Sequence, residues 1–274
     1  MVRIAVIADI HGNLPAFETA LADLRQHASD LLVIAGDIVV GSPDSLACWQ
    51  LAQSLDCPIV RGNHERYVSH FGTEYADPLW ETERFAPVQW AVAQLGEVAR
   101  QAINVLPLTF CLPEAPDLLI VHASARSDTD SVPLHTTAAQ LETIFENVSA
   151  TTIARGHNHI PRTQPWGQRQ VVTTGSVGLP LEGQAVAQYL LLDQSPSGWT
   201  AQHCSTPYPV EQTLQRFAET DYVAKTGVMG RLFQREVATA TLHFVPFLRY
   251  YQQWSTTEPT LPLATALERY LQIF

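Results

Sequence analysis

Apolar residues along the first sixty-five positions come in short runs that switch between two periods. RIAVIAD, from Arg3 to Asp9, is apolar and β-branched throughout, the pattern of a strand covered on both faces. FETALADLRQHA then places apolar side chains at helical spacing, and DLLVIAGD reads as a second strand. A helix is predicted over Pro43–Leu55, followed by a short strand in CPIVRGN. Strand–helix–strand–helix–strand is the order of an α/β sheet. Each strand runs out at polar residues, at Asp9 to His11, Gly36 to Asp37 and Gly62 to His64. In open α/β sheets ligands gather beyond the carboxyl ends of strands, so these clusters are expected to meet in space.

Residues 74–104 read as mainly helical, with Trp80, Phe85, Trp90, Val92 and Leu95 supplying apolar surface. LTFCL and DLLIVHA follow as strands, LETIFENV as a helix, and TTIARGHNH carries a strand into a histidine cluster. RQVVTTGSVG, AVAQYLLLD and WTAQHCST are strand-like, with no regular helices between them, which predicts a second sheet packed on the first. After Pro209 the character changes. VEQTLQRFAETDYVAKTG, most of 230–251 and PLATALERYLQIF read as helices. The division expected is a core domain over 1–208 and a helical extension over 209–274. Trp199 and the aromatic-rich FVPFLRYYQQW read as packed core rather than as a substrate face.

Composition narrows the classes. The chain has 274 residues, 46% of them hydrophobic, which is ample for a core and excludes global disorder. Lys and Arg number 16 against 27 Asp and Glu, a net charge of −11 that argues against broad DNA binding. An anionic small molecule remains open to such a chain, because a bound metal reverses the local field. Cys48, Cys57, Cys111 and Cys204 form no short metal-binding pattern and read as reduced thiols. The opening MVRIAVIADI meets Asp9 after a brief apolar run and fits a strand better than a signal peptide. No stretch approaches a membrane span of about 20 apolar residues. The cytoplasm is the expected location.

The candidate chemistry sits in Asp9 and His11, Asp37, Asn63 with His64 and Glu65, His122, and the pair His157 and His159. In extended backbone, residues two apart face one side, so Asp9 with His11, and His157 with His159, are each expected to face a common site. Imidazole and carboxylate suit borderline cations such as Mn, Fe, Zn, Ni or Co. Asp9, His11, Asp37, Asn63, His122, His157 and His159 exceed what a single four-coordinate site needs. Two metals sharing a carboxylate would use them all, and a hydroxide bridging the metals could attack phosphorus. Two divalent ions outweigh two carboxylates and that hydroxide, which leaves a positive site for a phosphate ester.

Taken in order, D-x-H, GD, GNHE, a lone histidine and GHNH resemble the calcineurin-like metallophosphoesterase family, and IADIHGN and GDIVVGSPD resemble its compact bacterial phosphoesterase branch. The resemblance runs from Asp9 to His159. It implies an α/β fold of two packed mixed β-sheets flanked by helices. It implies two divalent or trivalent transition-metal ions, one among Asp9, His11, Asp37 and His159, the other among Asp37, Asn63, His122 and His157. His64 would stand outside the metal shell and protonate the leaving oxygen, or stabilise it by hydrogen bonding, as an imidazolium with a pKa near neutrality can. Glu65 and Asp44 are the carboxylates available to orient it.

One departure matters. Serine/threonine phosphatases of this superfamily read GDxVDRG where this chain has GDIVVGS, with Val40 and Gly41 in place of the supporting aspartate and the arginine's neighbourhood. That favours a small-molecule phosphomonoester or phosphodiester, nucleotides and cyclic nucleotides included, over a phosphoprotein. An interaction scaffold without catalysis is the alternative from another class. Extended nucleic acid is not expected, since no basic track accompanies the motifs. Arg66 and Arg126 are phosphate-binder candidates with loop support as the plainer role, and Asn13 and Asn158 read as loop formers. His27, His70, His135, His203 and His243 lack a matching cluster.

Overall fold

In a computed structural model, residues 2–274 are described. Two mixed sheets carry the core. Strands β1 (Arg3–Ile7), β2 (Leu31–Ile34), β8 (Val186–Ser195) and β9 (Gly198–Pro207) form the first, in the order β2-β1-β8-β9. The second is β3-β4-β5-β7-β6, from β3 (Thr109–Phe110), β4 (Leu118–Val121), β5 (Thr152–Arg155), β6 (Arg162–Trp166) and β7 (Arg169–Thr173). Ile4, Val6 and Ala8 of the first sheet face Ile120, Ala154 and Val172 of the second, with Leu190, Leu192 and Trp199 in the same buried layer. The alternate residues Ala5 and Ile7 point the other way, against helices α1 (Leu14–Leu24), α2 (Ser45–Ser54) and α4 (Ala86–Asn104). Burial on both faces is why β1 reads as an unbroken apolar run. On the far side, Val121, Ile153 and Val171 pack on α5 (Ala138–Ile144) through Leu141 and Phe145.

Four expectations need correction. The late strands do not make a sheet of their own: β8 runs antiparallel beside β1, and β9 beside β8. The run CPIVRGN is not a strand; it makes a single bridge, Ile34 to Ile59. Past Val60 its groups turn elsewhere, Arg61 N–H to the Pro107 carbonyl and Gly62 N–H to Glu65. Asn63 then opens a helix, α3 (Asn63–His70), where the sequence predicts only a turn. β6 is missing from the sequence reading because RTQPW is polar and contains Pro165, which an edge strand tolerates.

The chain after Pro209 forms α6 (Val210–Glu219), α7 (Tyr222–Thr239), α8 (Phe244–Thr257) and α9 (Leu263–Leu271). Phe217, Tyr222, Phe233 and Val237 pack with Leu179 of the core. Burial of Phe217 and Tyr222 is worth roughly 1.5–3 kcal/mol each. Arg216 pairs with Asp44 at 2.7 Å, and the Tyr222 hydroxyl donates to the Gly41 carbonyl at 2.9 Å. The extension is thereby fastened to the loop that follows β2. Trp199 is core, as expected. All four cysteines are unpaired. Among the described residues no helix is long and apolar enough to cross a membrane.

Candidate metal centre

The loops leaving β1, β2, β4 and β5 and the first turn of α3 converge at one end of the two sheets. Their hydrogen bonds lace them together: Asp9 N–H to the Gly36 carbonyl at 3.0 Å, His11 N–H to Asp37 at 2.9 Å, and Gly156 N–H to His122 at 3.0 Å. Asp9, His11 and His159 form one group whose ligand atoms all lie within 4.8 Å of one another, and Asp37, His122 and His157 form another. A third group, His11, Asp37 and His64, overlaps both. Asn63 joins through its side-chain oxygen, 3.2 Å from His122 Nε2. The seven candidate metal ligands and His64 are therefore brought to one place.

How they get there differs from the expected strand alternation. Asp9, His11, Asp37, His157 and His159 have φ of 57°, 51°, 54°, 71° and 58°, left-handed backbone rather than extended. Such residues cost roughly 1–3 kcal/mol each and persist where surrounding contacts hold them. Val40, a β-branched residue at φ 67°, shares the strain. Its carbonyl accepts from His11 Nδ1 at 3.0 Å. Thus the position where the superfamily's phosphatase motif has an aspartate contributes backbone here.

The histidines show what the cluster is built to hold. His122 Nδ1 donates to the Ala35 carbonyl and His159 Nδ1 to that of Leu179, both at 2.8 Å. A carbonyl only accepts, so in His11, His122 and His159 the hydrogen sits on Nδ1 and Nε2 is turned inward. This is the arrangement that fixes metal-ligating imidazoles. His11 and His159 aim Nε2 at each other across 3.0 Å, a spacing that needs a cation, proton or metal, between two lone pairs. Asp9 lies 3.5 Å from His159 Nε2, and Asp37 lies 3.3 Å from His122 Nε2. The donor set fits a pair of borderline metal ions.

Titration follows from burial and neighbours. Burial, reinforced by His159 and His64, brings His11 down to about 3, and burial with His122 does the same to His157. Both are neutral and free to ligate near neutral pH. Burial opposes a charge on His122, yet Asp37 overrides it and pushes the imidazole up to about 9. Burial would raise Asp37, but His122 and His64 outweigh it and hold the carboxyl well below its usual range. Burial also lowers His64, whose Nδ1 has no hydrogen-bond partner among the described residues.

Neither carboxylate proposed to orient His64 does so. Asp44 is taken by Arg216. Glu65, fully buried, accepts from the backbone N–H groups of Asp37 (2.6 Å), Ile38 (2.8 Å), Val39 (3.3 Å) and Gly62 (2.9 Å). It clamps the loop after β2 to the start of α3. Gly62 is needed at this crossing, since a Cβ there would lie 2.2 Å from Asp37 Oδ1. Arg66 is spent on a bidentate pair with Asp128, at 2.8 and 3.0 Å, and Arg126 on Asp130. Asn13 caps α1 and donates to the Gly178 carbonyl; Asn158 turns to Val132, Arg155 and Ser131.

Over the cluster lies a cavity of about 470 Å³ that the sequence did not announce. His11, Asp37, Asn63, His64, His157 and His159 form its floor. Its walls come from Tyr67, from the 3-10 turns at Pro78–Glu81 and Glu83–Phe85, and from α7 and α8. Phe244, Val245 and Leu248 of the FVPFLRYYQQW run line it, while Phe247 is buried in the helical core as expected.

Glu236 of α7 also lines the cavity, and its carboxylate accepts from the His243 and Phe244 N–H groups, both at 2.7 Å. Burial pushes it up to about 7 from 4.5. A raised carboxyl contributes stability that is present below the unfolded value and lost as pH rises through the folded one. Glu236→Gln keeps an acceptor without the titration. Between about pH 5 and pH 8 the wild type is expected to lose roughly 2.5 kcal/mol of unfolding free energy relative to the variant. Denaturant titrations at the two pH values check this; parallel changes in both proteins would refute it.

A family model described as calcineurin-like phosphoesterase matches residues 2–161. An uncharacterized protein of Methanocaldococcus jannaschii is 24% identical over 206 residues, covering 70% of this chain and 82% of that one. Serine/threonine-protein phosphatase 1 of Salmonella typhimurium is 27% identical over 188 residues, covering 63% and 86%. In fold, the chain is similar to a metallophosphoesterase from Sphaerobacter thermophilus, with TM-score 0.64 and 22% identity over 82% of this chain and 98% of that one. A hypothetical protein from Pyrococcus horikoshii gives TM-score 0.70 and 19% identity over 85% and 98%.

Proposed function

This chain belongs to the calcineurin-like phosphoesterase family, and from that premise we propose that it hydrolyses a small-molecule phosphate ester with two transition-metal ions. The observation that carries the reading is the set of three imidazoles whose Nδ1 atoms are tied to carbonyls while their Nε2 atoms converge on Asp9 and Asp37. Asp9, His11, Asp37 and His159 would hold one ion; Asn63, His122 and His157, with Asp37 shared, would hold the other. Bound there, the ions would supply a hydroxide nucleophile at neutral pH and draw charge from the phosphoryl oxygens.

The protein's own part is placement and proton handling. Asp37 Oδ1 accepts the His64 N–H at 2.9 Å, which fixes the start of α3 against the cluster. His64 Nε2 stands 3.8 Å from Asp37 Oδ2 on the cavity floor. Burial lowers the His64 pKa, which favours, of the two roles expected of it, hydrogen-bond donation to the leaving oxygen over delivery from a standing imidazolium. His64→Ala should reduce kcat by about 100-fold or more while leaving metal content intact. Elemental analysis beside kinetics decides it, and undiminished turnover would remove His64 from the chemistry.

The broader test is a phosphate-ester panel with protein loaded separately with Mn, Fe, Zn, Ni or Co and assayed for metal content. Two ions per chain and chelator-sensitive hydrolysis are expected. Silence across every ester and metal would reject the enzyme reading in favour of a scaffold. The name of the Salmonella relative supports protein phosphatase activity as a second reading, and phosphoserine peptides belong in the same panel. Mono- and diesters compared side by side separate the remaining alternatives.

A further inference from the structure

Resting on the phosphoesterase reading, we propose that the substrate is a phosphate ester of an apolar alcohol, alkyl or aryl, whose hydrocarbon fills the cavity above the metal cluster. The cavity is continuous with that cluster, so whatever enters it is presented to the reacting end. Away from the floor its wall is hydrocarbon. Phe85, Leu179, Phe233, Phe244 and Leu248 are representative, and Tyr67 turns its ring edge-on to Trp80 and Phe85 at 5.2 and 5.7 Å. Leu79, Leu242 and Val245 at the same cavity stay 39%, 39% and 42% exposed, an apolar rim left open to solvent. Contiguous exposed apolar surface leading into a pocket marks a ligand groove.

The polar groups on the wall are few and mostly committed. Glu236 is engaged by two backbone N–H groups. Among the described residues, Arg84, half-buried, is the single arginine or lysine lining the cavity, and it makes no ion pair. Beyond the metal cluster that would take the phosphoryl group, the wall thus offers little positive charge for further phosphates. A polyphosphate would leave further charges against hydrocarbon, and a sugar or nucleobase would leave edges unpaired there, each at a desolvation cost. An apolar alcohol has neither problem, and gains in proportion to the surface it buries.

Two series on metal-loaded full-length protein test this. In the first, kcat/KM is measured for n-alkyl phosphates from ethyl to decyl, with glycerol phosphate, nucleoside monophosphates and phosphoserine peptides as polar comparisons. It should climb about two- to fourfold per methylene until the cavity is full. In the second, n-alkylphosphonates, which are not hydrolysed, are titrated calorimetrically. Their affinity should rise in the same way, with a heat-capacity change growing more negative along the series. Val245→Asp, at an exposed rim position that folding tolerates, should flatten both slopes, and Val245→Leu should keep them. Hydrolysis with a flat slope, or faster turnover of polar esters, overturns the substrate class and leaves the phosphoesterase reading standing. If no ester is hydrolysed, that reading falls and the substrate assignment falls with it, an outcome distinct from hydrolysis with a flat slope.

Discussion

Asp37→Asn is expected to lower turnover by roughly three orders of magnitude, several kcal/mol of transition-state stabilisation. The carboxylate belongs both to the group with His122 and His157 and to the group with His11 and His64. Its Oδ2 lies 3.3 Å from His122 Nε2, 3.8 Å from His64 Nε2 and 3.9 Å from His11 Nε2. Asparagine keeps an oxygen for the His64 N–H but removes the charge that would separate two cations, and offers an amide where a shared oxygen is needed. Metal analysis should show at least one ion missing from the purified variant, and kcat should fall with it. Circular dichroism should remain that of the wild type, because Asp37 lies at a loop end rather than within either sheet. A fully metallated variant with turnover within about tenfold of wild type would remove Asp37 from the bridging place proposed for it.

Glu65→Ala should act through stability first. Four backbone N–H groups would lose their acceptor in a fully buried setting, at a cost of about 3 kcal/mol or more. For a chain of this size that corresponds to a fall in Tm of roughly 6–12 °C. The same loss frees the Asp37 loop from the Asn63 turn, so metal affinity should drop although Glu65 is not assigned to either ion. Glu65→Gln retains one acceptor oxygen and places an amide against the remaining donors, and should fall between. Calorimetric scans of the three proteins with and without metal check the order. An unchanged Tm in Glu65→Ala would mean that the clamp carries no weight.

The two carboxylates show different legibility. Asp37 stands out in sequence because LLVIAGD carries an apolar strand straight into it. Glu65 is legible only as part of the GNHE motif, and its function there cannot be seen locally: its partners are backbone groups from residues 37–39 and 62. Likewise Val40 departs from the phosphatase motif in sequence, while the use of its carbonyl to hold His11 depends on a left-handed turn. Pairwise side-chain alternation predicted the right grouping of Asp9 with His11 for the wrong reason. Loop backbone bonded across β1 and β2 orients them, not the pleat of a strand.

The helical tail was legible as helices but not as the wall of a site. FVPFLRYYQQW has the apolar content of a packed segment, and Phe247 does pack. Periodicity cannot tell which apolar side chains meet another helix and which border a cavity, because both avoid water. Phe244, Val245 and Leu248 acquire their second role from the docking of α7 and α8 over His64.

What the sequence determined by itself was chemical identity and order: which residues can bind cations, and that the apolar runs into Asp9 and Asp37 are strands with polar ends. Those are local properties, written in side-chain type and spacing. Only the tertiary structure decided the sheet to which β8 belongs, the carbonyls that set each imidazole, the clamp made by Glu65 and the hydrocarbon cavity above the cluster. Each of these joins segments far apart in the chain, and its energy comes from burial and backbone pairing that no single segment contains.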